Sequence, residues 1–404
     1  MNRRVVVTGL GIICALGSSA EEVWRATRAG VRAAEALHVE GLGEVPTFRA
    51  SDPDADGLFG RREARRMDRV GVLAACAAAE ALGAAGDHGL ADVQIGASLG
   101  NAHGGVATLE AAAQVAEERG LQRISPLTIP LGLPNSAAAA TARTHGLRGP
   151  SASLSTACAA GSDAIGVAAE LIRGGRAEAM VAGGAEAPIT RMTIGGYARL
   201  GALANGDRQP AAASRPFDTG RDGFVIGEGA GMLVLEERQH ALNRGATILA
   251  EVTGYGTSCD AGHITDPDPA GQGPARAIRI ALDQAGRSPA EVDYVNAHAT
   301  STPVGDLAEA RALVAAGVHG AMVSATKSLH GHTLGAAGGI EAALSVLAIR
   351  DGIAPPTINL DDPEPEPALR HLTECTTAEI GVALSNSFGF GGHNACLVLE
   401  TFRD

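Results

Sequence analysis

The chain has 404 residues and a formal net charge of -13, with 45% hydrophobic and 19% charged residues. This length allows two domains or one large duplicated unit, and the composition is that of a packed soluble protein. The negative charge argues against a general nucleic-acid binder, which needs a broad positive face. The apolar runs are too short to span a membrane, and the first residues do not form a secretory signal. We therefore expect a cytoplasmic protein with neither nucleic-acid nor membrane partners.

Secondary-structure signals follow one another in a regular order. Short β-branched runs alternate with alanine-rich helical stretches, which predicts an α/β fold with a largely parallel sheet covered by helices. Strands are predicted at residues 4–9, 91–98, 177–182, 231–235, 248–254, 292–297, 321–325 and 396–399. Helices are predicted at residues 20–29, 69–83, 158–173, 274–285, 306–313 and 338–350.

Two short motifs recur along the chain. The run Val-Val-Val-Thr-Gly-Leu-Gly at 5–11 resembles Val-Thr-Gly-Tyr-Gly at 252–256, and the segment 154–161 resembles 332–338. Both members of the second pair lead into a predicted helix. We interpret this as a duplicated unit with halves 1–245 and 246–404. Chance similarity between shared turn types is the alternative.

Cys158 is the candidate nucleophile among six cysteines. It stands where a short apolar run meets a helical pattern, so its sulfur is expected at a helix N-terminus, where the macrodipole lowers the pKa of a thiol. Inert packing is the alternative for a cysteine among alanines. The six cysteines form no Cys-x-x-Cys pair, so we predict neither a metal site nor disulfides.

Two histidines complete the candidate site. His298 follows a predicted strand and precedes a hydroxyl-rich loop, and His332 precedes a glycine-rich helix start. Two neutral imidazoles near one thiol suit carbon–carbon bond formation, because N–H donors stabilise an enolate oxygen without protonating it. Lys327 and Glu309 are expected to form a charge pair that orients the site, or else an ordinary structural ion pair.

Several motifs resemble those of the elongating beta-ketoacyl-acyl carrier protein synthases, over essentially the whole chain. They are Thr156-Ala157-Cys158, Val181-Ala182-Gly183-Gly184-Ala185-Glu186, Ser214-Arg215-Pro216-Phe217-Asp218, Asn296-Ala297-His298, Lys327-Ser328 with Gly331-His332, and Asn386-Ser387-Phe388-Gly389-Phe390-Gly391-Gly392. The resemblance implies a thiolase-like fold, with duplicated halves forming a five-layered αβαβα sandwich. It also implies decarboxylative condensation of an acyl-enzyme with malonyl-acyl carrier protein.

The resemblance assigns roles to individual residues. Cys158 is the acyl acceptor, His298 and His332 promote decarboxylation, and Lys327 with Glu309 is the supporting pair. The remaining implied roles are the oxyanion hole (backbone N–H groups of Cys158 and Phe390), substrate binding (Thr300, Thr302 and Phe388), closure of the acyl pocket (Leu109) and carrier docking (Arg62, Arg65 and Arg66). No cofactor is expected, because the partner acyl carrier protein brings the phosphopantetheine.

The pathway and the assembly stay open at this point. Gly206 and His330 depart from the pattern of the fatty-acid enzymes, which favours a type II polyketide or specialised fatty-acyl pathway over housekeeping fatty-acid elongation. A homodimer, or a heterodimer with a chain-length factor, is expected. A non-catalytic chain-length factor is disfavoured by Cys158. A cysteine hydrolase would not explain the second histidine, and a thiolase would need another cysteine near Phe390.

Overall fold

A computed structural model describes residues 3–403. The strands are β1 (Val5–Ile13), β2 (Glu35–Val39), β3 (Gly43–Phe48), β4 (Ile95–Gly100), β5 (Ser151–Leu154), β6 (Ala179–Glu186), β7 (Ile226–Gly227), β8 (Gly229–Glu237), β9 (Ala250–Cys259), β10 (Tyr294–Asn296), β11 (Met322–Ser324), β12 (Ile353–Ala354), β13 (Arg370–His371), β14 (Thr376–Thr377), β15 (Val382–Gly389) and β16 (His393–Glu400).

Helices separate most of these strands. They are α1 (Ala20–Arg28), α2 (Ala55–Phe59), α3 (Arg61–Ala64), α4 (Arg69–Ala85), α5 (Val106–Arg119), α6 (Thr128–Gly132), α7 (Ser136–His145), α8 (Ala160–Arg173), α9 (Arg191–Arg199), α10 (Arg238–Asn243), α11 (Gln272–Ala285), α12 (Pro303–Ala315), α13 (Lys327–His330) and α14 (Ala337–Asp351). Within residues 3–403, no helix combines the length and the apolar character that crossing a membrane requires.

The large sheet is mixed, which corrects the expectation of a largely parallel one. Its order is β13-β11-β10-β15-β16-β9-β1-β8-β6-β4-β5. The outer strands of each half pair in parallel, whereas β1, β8, β9 and β16 pair with their neighbours in antiparallel fashion. Antiparallel strands can be joined by short connections, whereas parallel strands need a longer crossover. The alternation of helices and strands along the sequence does not show which strands become neighbours, so it could not predict the direction of pairing.

The two halves repeat the same topology. The order β5-β4-β6-β8-β1 in the first half matches β11-β10-β15-β16-β9 in the second, with the same sequence of parallel and antiparallel pairs. The glycines of the recurring motif explain why the same short sequence occurs in both halves. A Cβ on Gly11 would lie 1.9 Å from the Ala77 oxygen of α4, and one on Gly256 would lie 2.1 Å from the Ala277 oxygen of α11. Each half therefore needs glycine where its outer helix touches the sheet.

Five layers result from this arrangement. Helix α4 covers β1 and β8 on one side, and α11 covers β9 and β16 on the other. Between the two half-sheets lie α8 and α14, which pack against each other and against both halves. Ala337 to Ile349 of α14 are all buried, as expected for a helix enclosed on every side. The duplicated αβαβα sandwich expected from the sequence is thus the observed fold.

Candidate active site

Cys158 lies in a tight turn at the start of the middle layer. A 3-10 turn, Ala157–Ala159, precedes α8, and Ala157 has a φ of 50°. The equivalent position before α14, Leu334, has a φ of 49°. A non-glycine residue in this region costs about 1 kcal/mol or more, so both copies of the fold keep the same strained turn. The turn places the Cys158 side chain towards the second half.

The histidines come from the carboxyl ends of neighbouring parallel strands. His298 follows β10, and His332 follows β11 and the short helix α13. The backbone of His332 is fixed by hydrogen bonds to the first half: its N–H donates to the Val225 oxygen at 2.8 Å, and its oxygen accepts from the Gly227 N–H at 2.9 Å. The two halves therefore bring the nucleophile and the histidines together.

The three side chains form one compact buried group. His332 Nε2 lies 3.1 Å from Cys158 Sγ, and the His298 and His332 rings are nearly perpendicular with centroids 5.4 Å apart. The possible ligand atoms of the three residues lie within 4.8 Å of one another. This spacing also suits a metal ion, so the expectation of no metal stays a prediction.

The thiol of Cys158 does not have the lowered pKa expected from the sequence. Burial raises the pKa of Cys158 to about 12, although the Lys327 cation and the backbone N–H groups of Phe390 and Cys158 act in the opposite direction. Because desolvation of the thiolate outweighs the helix terminus, the resting group is a thiol. Its proton must move as the sulfur attacks, and His332 Nε2 is within reach to accept it.

Both imidazoles are held neutral. Burial, followed by the positive charge of Lys327, lowers the pKa of His298 and of His332 well below the ordinary range. Neutral rings donate hydrogen bonds without delivering a full proton. The Nδ1 atoms of both histidines have no hydrogen-bond partner among the described residues. No hydrogen bond at Nδ1 therefore fixes the tautomer of either ring.

The expected pairing of Lys327 with Glu309 is wrong. The ammonium of Lys327 forms its ion pair with Glu341 of α14, and both side chains are completely buried. Glu309 instead accepts the N–H groups of His298 at 2.9 Å and Ala299 at 2.7 Å, together with the Asn386 amide at 3.0 Å. Glu309 thus fixes the loop that carries His298, whereas Glu341 compensates the lysine.

Two backbone N–H groups meet at the sulfur. The backbone N–H groups of Phe390 and Cys158 are close enough to the Cys158 sulfur to lower the pKa of its thiol, and their use as an oxyanion hole stays a prediction. Gly389 permits this approach, because a Cβ there would lie 2.7 Å from the Thr156 oxygen and 3.0 Å from the Cys158 nitrogen. The glycine before Phe390 is therefore required sterically.

A pocket surrounds these groups. Thr300 and Thr302 line it, with their hydroxyl oxygens 3.1 Å apart. Phe388 and Phe390 also line it, and the Phe388 ring lies 5.8 Å from the His298 ring, centroid to centroid. The structure therefore brings the predicted nucleophile, histidines, threonines and phenylalanines to one cavity.

Known proteins are similar to this chain in sequence and in fold. The family model described as "Beta-ketoacyl synthase, N-terminal domain" matches residues 2–241, and the corresponding C-terminal domain matches residues 249–361. The chain belongs to the beta-ketoacyl synthase family. Ketosynthases are acyl-transferring condensing enzymes, and the chain is one of them.

Full-length relatives include a 3-oxoacyl-[acyl-carrier-protein] synthase 2 of Synechocystis sp., 44% identical over 418 residues, covering 99% of each chain. Among solved structures, the ishigamide ketosynthase/chain length factor is similar with a TM-score of 0.92 at 34% identity, covering all of both chains. A type II polyketide synthase acyl-carrier protein in complex with its ketosynthase bound to the hexaketide gives a TM-score of 0.87 at 32% identity, also covering all of both chains.

Nothing in the described residues decides whether Leu109 closes the acyl pocket, so that role stays a prediction. Leu109 is on α5, is 41% exposed and packs against Gly132, outside the residues of the described chain that line the ketosynthase pocket. Tyr197 and Phe224, which were not among the predicted site residues, also line the pocket. Phe224 ends the segment Arg221-Asp222-Gly223-Phe224, which also resembles the family, whereas no motif singled out Tyr197, one of three tyrosines in the chain.

The predicted docking arginines lie together on the surface. Arg62 is in α3, and Arg65 and Arg66 follow it directly; all three are exposed. None of them forms an ion pair within residues 3–403, whereas the neighbouring Glu63 pairs with Arg143. The ketosynthase thus presents an uncompensated positive surface at this segment.

Proposed function

We propose that the chain lengthens carrier-bound acyl chains by decarboxylative Claisen condensation with malonyl-acyl carrier protein. The Sγ–Nε2 distance of 3.1 Å between Cys158 and His332 carries this proposal. In the first step Cys158 Sγ attacks the acyl thioester carbonyl, and its proton passes through His332 Nε2 to the departing carrier thiol. The backbone N–H groups of Cys158 and Phe390 stabilise the oxyanion.

The second step forms the new carbon–carbon bond. Malonyl-carrier loses carbon dioxide, and the enolate oxygen accepts N–H hydrogen bonds from His298 and His332. The enolate carbon attacks the acyl group on Cys158, the 3-oxoacyl-carrier product leaves, and the released thiolate takes up one proton. The steps need opposite tautomers of His332, which its unpartnered Nδ1 permits.

Mass spectrometry tests the assignment of the nucleophile. Acyl-carrier protein should add one acyl group to the wild type and none to Cys158→Ala, and the exposed Cys259→Ser serves as the matched control that still acylates. Carbon dioxide release from malonyl-carrier should fall sharply in His298→Ala and in His332→Ala. Acylation of Cys158→Ala, or undiminished decarboxylation in both histidine variants, contradicts the mechanism.

Fatty-acid elongation is the pathway we propose first. The full-length identity to 3-oxoacyl-[acyl-carrier-protein] synthase 2 supports it over the polyketide pathway favoured by Gly206 and His330. A type II polyketide pathway is the second candidate, because the ishigamide ketosynthase/chain length factor has nearly the same fold. The native mass of the complex separates them: a homodimer supports fatty-acid elongation, and co-purification of a homologous subunit without the cysteine supports the second candidate.

Arg62, Arg65 and Arg66 are proposed to bind the acidic carrier protein. Charge reversal at the rim of an interface mainly slows association, so Arg65→Glu and Arg66→Glu should each weaken carrier binding about tenfold at low salt. Arg370→Glu, an exposed arginine on the outermost strand of the other half, is the control. Equal affinity of all three variants rejects the docking surface.

The cytoplasmic location stays a prediction.

A further inference from the structure

Tyr197 lines the pocket beside a cluster of apolar side chains. Cys158 belongs to a hydrophobic cluster with Ile194, Phe224 and Leu334, and Tyr197 packs against that cluster. The Tyr197 ring stands edge-on to Phe224, with centroids 5.2 Å apart. An acyl chain attached to Cys158 can therefore run along these apolar side chains and reach the phenol of Tyr197.

The hydroxyl of Tyr197 belongs to a chain of polar groups. It lies 3.2 Å from His103 Nε2, and His103 Nδ1 lies 3.6 Å from a carboxylate oxygen of Glu186. Glu186 is completely buried and accepts the N–H groups of Ala102, His103 and Gly335. These three bonds fix the carboxylate, and one of them anchors the His103 backbone, so the imidazole stays beside the carboxylate and the phenol although its Nδ1 has no hydrogen-bond partner within residues 3–403.

The charge relation between His103 and Glu186 favours one hydrogen-bond direction. Burial, the largest influence, lowers the pKa of His103, but the interactions with the Glu186 carboxylate outweigh it and raise that pKa overall. Tyr197 Oη and His103 Nε2 are at hydrogen-bond distance, and which of them donates depends on whether Nε2 carries a proton. With a proton on Nε2, His103 donates to the Tyr197 oxygen and the phenolic O–H is free to donate into the pocket.

We propose that Tyr197, positioned by His103 and Glu186, recognises an oxygen on the bound acyl chain and makes this ketosynthase prefer oxo-acyl chains over fully reduced chains of the same length. A fully reduced chain shields the phenolic O–H from water and offers it no acceptor, so binding of that chain loses the free energy of one hydrogen bond. A ketone accepts the phenolic proton. The inference rests on the proposed acyl transfer to Cys158, and only a measured preference for oxo-acyl chains would shift the choice from the first pathway to the second.

The acyl-transfer step alone tests this preference. Saturated acyl-carriers are compared with oxo-acyl-carriers of equal length, the ketone being moved along the chain in separate substrates, and acylation of Cys158 is followed by mass spectrometry. For at least one ketone position the wild type should react about tenfold faster, as kcat/KM, than with the saturated chain. Tyr197→Phe should bring that ratio close to one.

Two further variants separate recognition from packing. His103→Leu keeps the phenol but removes its support, so the ratio should fall while the saturated chain still reacts. Ile194→Val changes the volume of the same wall without a polar atom and should leave the ratio unchanged. A wild-type ratio near one at every ketone position, or a preference that survives in Tyr197→Phe, overturns the inference. If no chain acylates Cys158, the proposed function fails and the inference fails with it.

Discussion

The buried ion pair between Lys327 and Glu341 offers the sharpest test of how the site is held. Lys327 precedes the His332 turn, Glu341 lies in the central helix α14, and neither side chain is exposed. Removing one member of such a pair leaves an uncompensated charge, which costs about 3–5 kcal/mol. Replacing both members by apolar groups of similar volume is often nearly neutral.

A double-mutant cycle measures this coupling. Lys327→Met and Glu341→Leu should each lower the free energy of unfolding by about 3–5 kcal/mol, and the double variant should lose less than either single one. Burial raises the pKa of Glu341 to about 7 even with the lysine present. At slightly acidic pH the glutamate of Lys327→Met can therefore become neutral, and Glu341→Leu should be the less stable single variant.

Catalysis gives a second readout of the same cycle. The Lys327 charge lowers the pKa of Cys158, His298 and His332. Without it the thiol deprotonates less readily and the imidazoles protonate at higher pH. Acylation by Lys327→Met should slow, and the acid limb of its decarboxylation profile should move to higher pH.

Urea unfolding followed by circular dichroism, and pH profiles of carbon dioxide release, provide these values. The coupling argument is refuted if the double variant is as unstable as the sum of the single ones. The electrostatic argument is refuted if the pH profile of folded Lys327→Met matches the wild type.

Three further changes have defined outcomes. Gly389→Ala should lower kcat about a hundredfold in acyl transfer assays, because the added Cβ displaces the Cys158 N–H from the oxyanion. Glu309→Gln, which keeps only one acceptor oxygen for the His298 loop, should lower decarboxylation about tenfold and leave acylation nearly intact. Burial lowers the pKa of His330 from 6.5 to about 3. Because the folded-state pKa is depressed, the folded protein resists protonation of His330, and the stability present above pH 6.5 is lost as the pH falls. Between pH 6.5 and roughly 4 the free energy of unfolding of the wild type should therefore fall by about 3 kcal/mol more than that of His330→Thr. Urea titrations at each pH measure this difference.

Each of these changes has a control or a contrary result. Gly83→Ala adds a Cβ where no atom lies within 4 Å and should leave turnover unchanged. Full activity of Gly389→Ala would mean that the loop yields without displacing the N–H group. Equal losses in acylation and decarboxylation would show that Glu309 supports the whole site rather than the His298 loop. Parallel acid titrations of the wild type and His330→Thr would show that His330 is accessible to protons when folded.

The sequence predicted the elements of the fold well where local patterns decide them. Helix α4 begins at the predicted Arg69, and α8 ends at the predicted Arg173. The paired glycine motifs predicted the duplication because each serves the same close helix contact. The edge sheet of β2, β3 and β7 was missed, since pairing between β3 and β7 joins residues far apart in the chain.

The site was predictable to the extent that its chemistry lies in single side chains. Cys158, His298 and His332 are recognisable by type and by local motif, and the structure places them together. The partner of Lys327 could not be predicted, because Glu341 and Glu309 are both buried carboxylates near it. Only the direction in which the Glu341 side chain leaves α14 decides between them. Pairings of this kind depend on tertiary packing rather than on sequence spacing.

The pKa of Cys158 shows what a local argument leaves out. A cysteine before a helix is expected to form a thiolate, but the same helix lies in the middle layer of the sandwich, where burial raises the pKa to about 12. The layer that assembles the site from both halves is also the layer that excludes water. A nucleophile in that position cannot rely on a standing thiolate, so its activation depends on His332 at 3.1 Å and on the Lys327 charge. For this reason the residues that hold the lysine and the histidines in place, Glu341 and Glu309, should affect catalysis although neither is assigned a proton to transfer.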